Sequence, residues 1–274
     1  MCLLADSPVC RVTFFAFLLV MATPVAAAQS DSMVATSPAG PDGQVISTFY
    51  YSNSESGFDG DGDRVDISDY EKIELYLLTE YSLSEKTTLV LTPSFRSVSV
   101  EGNDEDSSGL GYFDIGLRQR LSAGADWSFS VQGTARIPGN GRRDSLAQVG
   151  NTDAEYDLRG RYIRSFSFGT DSGFIDVQGS YRFRAGDPPN EMHADFTAGY
   201  RPSPDLLVMA QSFNTFSDGR GRGIFDSYRY HNVQLSLVKD VTTNISLQLG
   251  ALATLAGENA LRERGVFGGV WVRF

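Results

Sequence analysis

Cysteine is almost absent from this 274-residue chain: Cys2 and Cys10 are the only two, both near its front. The rest can form no disulfide framework and no thiolate metal site. Lysine is scarce too. Lys72, Lys86 and Lys239 are three of 23 basic residues, so the other twenty are arginines. Histidine occurs twice, as His193 and His231. There is no basic excess; the net charge of −11 argues against nucleic acid as a partner. Beyond residue 28 no run of eighteen apolar residues occurs, which excludes a transmembrane helix there. Helical periodicity is missing as well.

What is present is glycine, aromatic residues and alternation. The 28 glycines and 12% aromatic content suit an all-β chain. Residues 1–28 read as a signal peptide. Val12 to Met21 is an apolar run of suitable length, and Ala26-Ala27-Ala28 offers a small-residue cleavage site. Residues 29–43 are a polar lead.

From Gln44 onward, strand-like segments show period-2 patterning. Their expected spans are Gln44–Ser54, Ser68–Tyr81, Thr87–Val100 and Gly109–Leu121, then segments centred on Val131, Leu158, Val177 and Phe196. Leu206–Phe216, a segment around Leu235, Ile245–Ala253 and Gly265–Phe274 complete twelve. Ile245, Leu247, Leu249 and Ala251 oppose Asn244, Ser246 and Gln248, the cleanest alternation in the chain. Leu206–Phe216 shows no such contrast, so its faces stay ambiguous. The links alternate in length. Long, charged links are expected at Glu55–Asp66, Glu101–Ser108, Pro138–Thr152, Ala185–Asn190, Ser217–Asp226 and Ala256–Arg264. Short ones are expected at Ser82–Lys86, Ser122–Asp126, Arg201–Asp205 and Asp240–Thr243; the link near Ser165–Ser172 is unclear.

The last segment, ending on Val-Trp-Val-Arg-Phe274, resembles the closing strand of bacterial outer-membrane β-barrels. A closed barrel is the strand architecture that satisfies every backbone group in lipid. Short periplasmic turns, longer outer loops and aromatics at strand ends (Tyr81, Trp127, Tyr162, Phe183, Tyr200) fit the same class. The expectation is a transmembrane antiparallel up-and-down β-barrel of about twelve strands over residues 44–274, in the outer membrane. The resemblance implies that the strand ending at Phe274 is the signal read by the barrel-assembly machinery, and that membrane lipid and lipopolysaccharide are partners. Gly109-Leu-Gly-Tyr-Phe-Asp-Ile-Gly-Leu-Arg-Gln-Arg-Leu121 looks like the Gly-rich strands of the phenol meta-pathway-like outer-membrane proteins, although Gly111 and Asp114 stand three apart. That likeness implies passage of small organic solutes, with no cofactor and no enzymatic activity. The twelve-stranded acidic-sugar porins, with arginine-lined lumens, are a second comparison.

If the apolar faces meet lipid, the other faces line the lumen. Basic candidates there are Arg96, Arg118, Arg120, Arg136, Arg159, Arg161, Arg182 and Arg184, with Lys72 and Arg273. Acidic candidates are Asp114, Glu155, Asp157, Asp176, Glu191 and Asp195, with Glu74, Glu80 and Asp153; His193 joins them. Two readings stay open. The charges pair and brace the wall, because buried charges need partners, or the arginines form a track for anionic solutes, since guanidinium groups bind carboxylates in bidentate fashion. A barrel whose lumen is plugged and whose outer loops do the work is the alternative function. Three motifs stand apart. Asp59-Gly-Asp-Gly-Asp63 suggests a cation loop but departs from the EF-hand spacing. His193 with Glu191 and Asp195 could support acid–base chemistry. Gly219, Gly221 and Gly223 alternating with Arg220 and Arg222 could cradle phosphate.

Overall fold

The computed structural model describes residues 42–102, 106–139, 153–169 and 171–274. The expected signal peptide, residues 29–41 of the lead and most of the 138–152 link lie outside these described residues.

Alternation fixes the strands, and the strands close on themselves. In chain order they are β1 (Gly43–Phe58), β2 (Arg64–Ser82), β3 (Thr87–Val100), β4 (Ser107–Ala123), β5 (Trp127–Ile137) and β6 (Glu155–Phe168). Then come β7 (Asp171–Arg184), β8 (Glu191–Ser203), β9 (Leu206–Ser217), β10 (Arg229–Asp240), β11 (Ile245–Glu258), the two-residue β12 (Ala260–Leu261) and β13 (Arg264–Arg273). Neighbours pair in sequence order, and β1 pairs with both β2 and β13. The result is a closed, antiparallel barrel of twelve wall strands; β12 is a stub lying against Gly57 and Phe58. The seam is tight. Gly43 N donates to the Phe274 carbonyl at 2.9 Å, and Phe274 N donates to the Gly43 carbonyl at 3.0 Å.

The burial pattern is the reverse of a water-soluble protein's. Leu117, Leu158, Leu235 and Leu249 are 54%, 62%, 64% and 70% exposed, while the neighbouring Arg118, Arg159, Gln234 and Gln248 are buried. An apolar belt outside and polar residues inside is what lipid on one face requires. Trp127 stacks on Tyr162 at a strand end, with ring centroids 6.1 Å apart.

Two expected links are shorter than the sequence suggests, and the unclear one is settled. The β1–β2 hairpin runs on to Phe58 and resumes at Arg64, across a bulge between Ser54 and Ser56. Its polar residues still pair, because strand pairing needs only backbone groups. Asp59 closes the turn, its Oδ1 accepting from Asp61 N at 3.0 Å and Asp63 N at 2.9 Å. The Ser165–Ser172 stretch is nearly all strand, with Gly169 turning at φ +62. Ala256–Arg264 holds the end of β11 and all of β12, and Asn259 N donates to the Asp59 carbonyl at 2.9 Å. The two extended hairpins therefore brace each other at the loop end.

β9 resolves the ambiguous segment. Leu207, Met209, Gln211, Phe213 and Thr215 face inward. Register sets this parity: Met209 sits opposite Ser236 on β10 and Gly199 on β8, both inward positions.

Candidate functional site: the barrel interior

The interior divides into two arcs. Strands β2 to β8 supply most of the ionised residues. Asp114 receives Arg136 Nε at 3.0 Å, and Arg136 Nη1 reaches Glu155 at 2.8 Å. Glu155 also receives Arg184 Nε at 2.8 Å, and Arg184 Nη1 reaches Glu191 at 3.1 Å. Arg182 continues the belt to Glu191 at 3.0 Å and towards Asp157 at 3.6 Å. Arg159 links Asp157 at 3.5 Å to Asp195 at 2.7 Å. Nine residues from five consecutive strands thus alternate in sign along one connected path. Separate pairs join Arg96 to Glu74 at 2.8 Å, Arg161 to Asp176 at 2.5 Å, and Arg118 to Glu80. At the loop end Lys72 meets Glu263 at 2.6 Å.

Of the arginine candidates, Arg96, Arg118, Arg136, Arg159, Arg161 and Arg182 are buried, Arg184 has a buried side chain, and all seven contact a carboxylate. Arg120 departs from the set. It is half-buried at the rim nearest the termini and donates to the Glu85 carbonyl. His193 is held on both sides: Nε2 lies 3.1 Å from Glu191 Oε2, and Nδ1 lies 3.2 Å from Thr215 Oγ1. Asp195, its sequence neighbour on the same face, is bound to Arg159 instead. The structure therefore does not join His193 and Asp195 into a dyad.

The second arc, β9 to β13 with β1, is neutral over most of its height. Trp271 donates Nε1–H to Gln248 Oε1 at 3.0 Å, and Gln248 Nε2 donates to Ser236 Oγ at 3.0 Å. An apolar cluster runs from Phe174 on β7 through Met209, Val238, Phe267 and Trp271 to Ile46, Leu78 and Val90. Two glycines admit it. A Cβ on Gly250 would stand 2.3 Å from the Phe267 ring, and one on Gly199 would stand 2.0 Å from the Phe174 ring. The missing side chains leave the space that both rings occupy. This arc escaped the inventory of charged candidates, although Phe267 and Trp271 share their parity with Arg273.

The isolated motifs are accounted for locally. Among the described residues no group of three or more His, Cys, Asp or Glu is placed to hold a metal ion. Arg220 pairs with Asp226 at 2.6 Å, and Arg222 N donates to the Asp187 carbonyl at 2.7 Å. The glycine-arginine loop is thereby tied to its neighbour.

With this geometry in hand, comparison with known proteins is informative. A family model described as "Putative MetA-pathway of phenol degradation" matches residues 28–274. The chain belongs to that family. Its fold is that of outer-membrane channels and porins. One solved structure, an outer-membrane channel from Pseudomonas putida F1, superposes with a TM-score of 0.71 at 18% identity, covering 92% of this chain and all of that one. The NanC porin superposes with a TM-score of 0.51 at 10% identity, covering 84% of this chain and all of that one. No curated protein matches the sequence. The family thus covers nearly the whole chain, and its barrel belongs in the outer membrane.

Proposed function

We propose that the barrel passes small uncharged organic solutes across the outer membrane, with its termini in the periplasm. The division of the interior carries this reading. Seven of the eight arginine candidates are committed to carboxylates, so among the described residues they brace the wall rather than form a cationic track. A buried ion pair is broken only at a cost of about 3–5 kcal/mol, which disfavours handing an anion from one guanidinium to the next. The neutral arc instead offers aromatic, amide and hydroxyl groups that can be exchanged along a path without breaking charge pairs. The family's description and the channel from Pseudomonas support a role in solute passage.

The same reading makes His193 a wall residue and the protein a channel without enzymatic activity. It takes residues 1–28 as a cleaved signal peptide, the strand ending at Phe274 as the element engaged during assembly, and lipopolysaccharide as the outer-leaflet neighbour.

The test is solute-driven swelling of proteoliposomes, with reversal potentials from planar bilayers in a salt gradient. Swelling with a small neutral solute and weak ion selectivity are expected. Strong anion preference that inverts in an Arg182→Glu, Arg184→Glu variant would replace this reading with the arginine track. Folded, inserted barrel without swelling or conductance would overturn it in favour of a plugged structural barrel.

A further inference from the structure

We propose that Asp114 sets the ion preference of the lumen and makes it favour small monovalent cations, including organic ammonium ions, over anions. The inference rests on the channel reading and adds the charge class that the pore admits beside neutral solutes.

The charged belt is not balanced. Its path begins at Asp114 and ends at Asp195, and the signs alternate along it, so it joins five carboxylates through four guanidinium groups. The separate interior pairs match one acid to one base each. With His193 neutral, these described residues leave one negative charge over.

Position decides where that charge is felt. Of the two ends, the Asp195 side chain is 9% exposed and lies opposite the buried Phe213. The Asp114 side chain is 16% exposed, the most of any ion-paired side chain between the two rims. Its neighbours Phe113 and Ile115 point to lipid, so its open side is the lumen. One guanidinium reaches it, that of Arg136, and Arg136 is shared with Glu155. Across the ladder on β3 stands Thr92, which carries no charge. Arg118, further along the same face of β4, donates to Glu80 and Gln132 instead.

The surroundings suit a passing cation. Gly116, the next inward position towards the periplasm, contributes no side chain, and Thr134 and Gln132 are half-buried beside this face on β5. Asp114 thus heads an accessible row of hydroxyl and amide groups, whose oxygens accept from an ammonium N–H or meet a bare cation. Among the described residues no group of three or more His, Cys, Asp or Glu is placed to hold a metal ion, so a divalent ion finds no trap here.

Reversal potentials in a KCl gradient across a planar bilayer test the assignment. A unit charge about 6 Å from a passing ion in salt water enriches cations and depletes anions by roughly twofold each, so K⁺ should be favoured over Cl⁻ about three- to fourfold. Methylammonium chloride in place of KCl should give the same sign. Asp114→Asn should abolish the preference, and Asp114→Glu should keep it. Arg136 retains Glu155, so Asp114→Asn leaves no guanidinium unpaired and should fold. Glu71→Gln makes the same change of charge on the lipid-facing side and should match the parent. Anion preference in the parent, or an unchanged ratio in Asp114→Asn, would overturn the site and keep the channel. A folded, inserted barrel without conductance would overturn the channel reading and the site together.

Discussion

Replacing Glu155 by glutamine is the sharpest test of the charged belt as a brace. The substitution keeps shape and removes one charge. Glu155 is 2% exposed and accepts Arg136 Nη1 at 2.8 Å, Arg184 Nε at 2.8 Å and the Tyr112 hydroxyl at 3.2 Å. Each bond to a charged group contributes roughly 1.5–3 kcal/mol, so the two guanidinium bonds amount to roughly 3–6 kcal/mol. Both arginines keep a second carboxylate, Asp114 for Arg136 and Glu191 for Arg184. Neither is left unpaired, and the loss should fall near the low end, about 3 kcal/mol. That is roughly two powers of ten in the folding constant. Equilibrium denaturation of the barrel in micelles, followed by tryptophan fluorescence, measures it. Glu71→Gln is the control, because Glu71 is exposed on the lipid-facing side and, among the described residues, accepts just the Tyr51 hydroxyl at 3.0 Å. If Glu155→Gln costs less than about 1 kcal/mol, or no more than Glu71→Gln, the interior charges are solvated individually and the bracing argument fails.

Gly250→Val should cost about 1–3 kcal/mol, since the new side chain would displace the Phe267 ring; the same denaturation assay reads it, and Gly133→Val, where a Cβ meets nothing within 4 Å, should be far milder. Pro93→Val should stabilise β3 by about 0.5–1.5 kcal/mol. Pairing of β2 with β3 skips Leu77–Leu78 against Thr92–Pro93, where proline has no N–H to offer, and hydrogen exchange at Leu77 and Leu78 should slow in the variant. Asp205, in the turn between β8 and β9, is held below the usual carboxylate range by hydrogen bonds from Lys239 and Ser203. Its contribution is therefore present above the unfolded-state carboxylate pKa and lost as pH falls through the lower folded value. Asp205→Asn should differ from the parent near neutral pH and converge with it in acid, as followed by unfolding midpoints against pH.

How much of this was legible in the sequence varies from strand to strand for physical reasons. Where charged residues alternate with large apolar ones, as in Tyr181-Arg182-Phe183-Arg184, lipid on one side dictates the face and the reading holds. In Leu206–Ser217 the inward Leu207, Met209 and Phe213 are as apolar as the outward Val208 and Ala210, so hydropathy carries no parity. Only pairing with Ser236 and Gly199 decides it. The lengthened β1–β2 hairpin was hidden because Ser56 and Gly57 read as loop residues yet pair as strand. Parity told that arginines and acids share the interior. It could not tell that Arg159 reaches past β7 to Asp195 on β8, because that depends on how the strands tilt around the barrel.

The seam between Gly43 and Phe274 also sets an order in time. It joins the first residue of β1 to the last residue of the chain, so the most distant contact in the wall is the one that seals it. Contacts of such long sequence separation form slowly, because the loop they close is the whole barrel wall. Until β13 arrives, β1 and β11 each present an open row of backbone donors and acceptors, an invitation to pair with another chain. A truncation before Gly265 should therefore yield a sticky, unsealed sheet and never a smaller barrel.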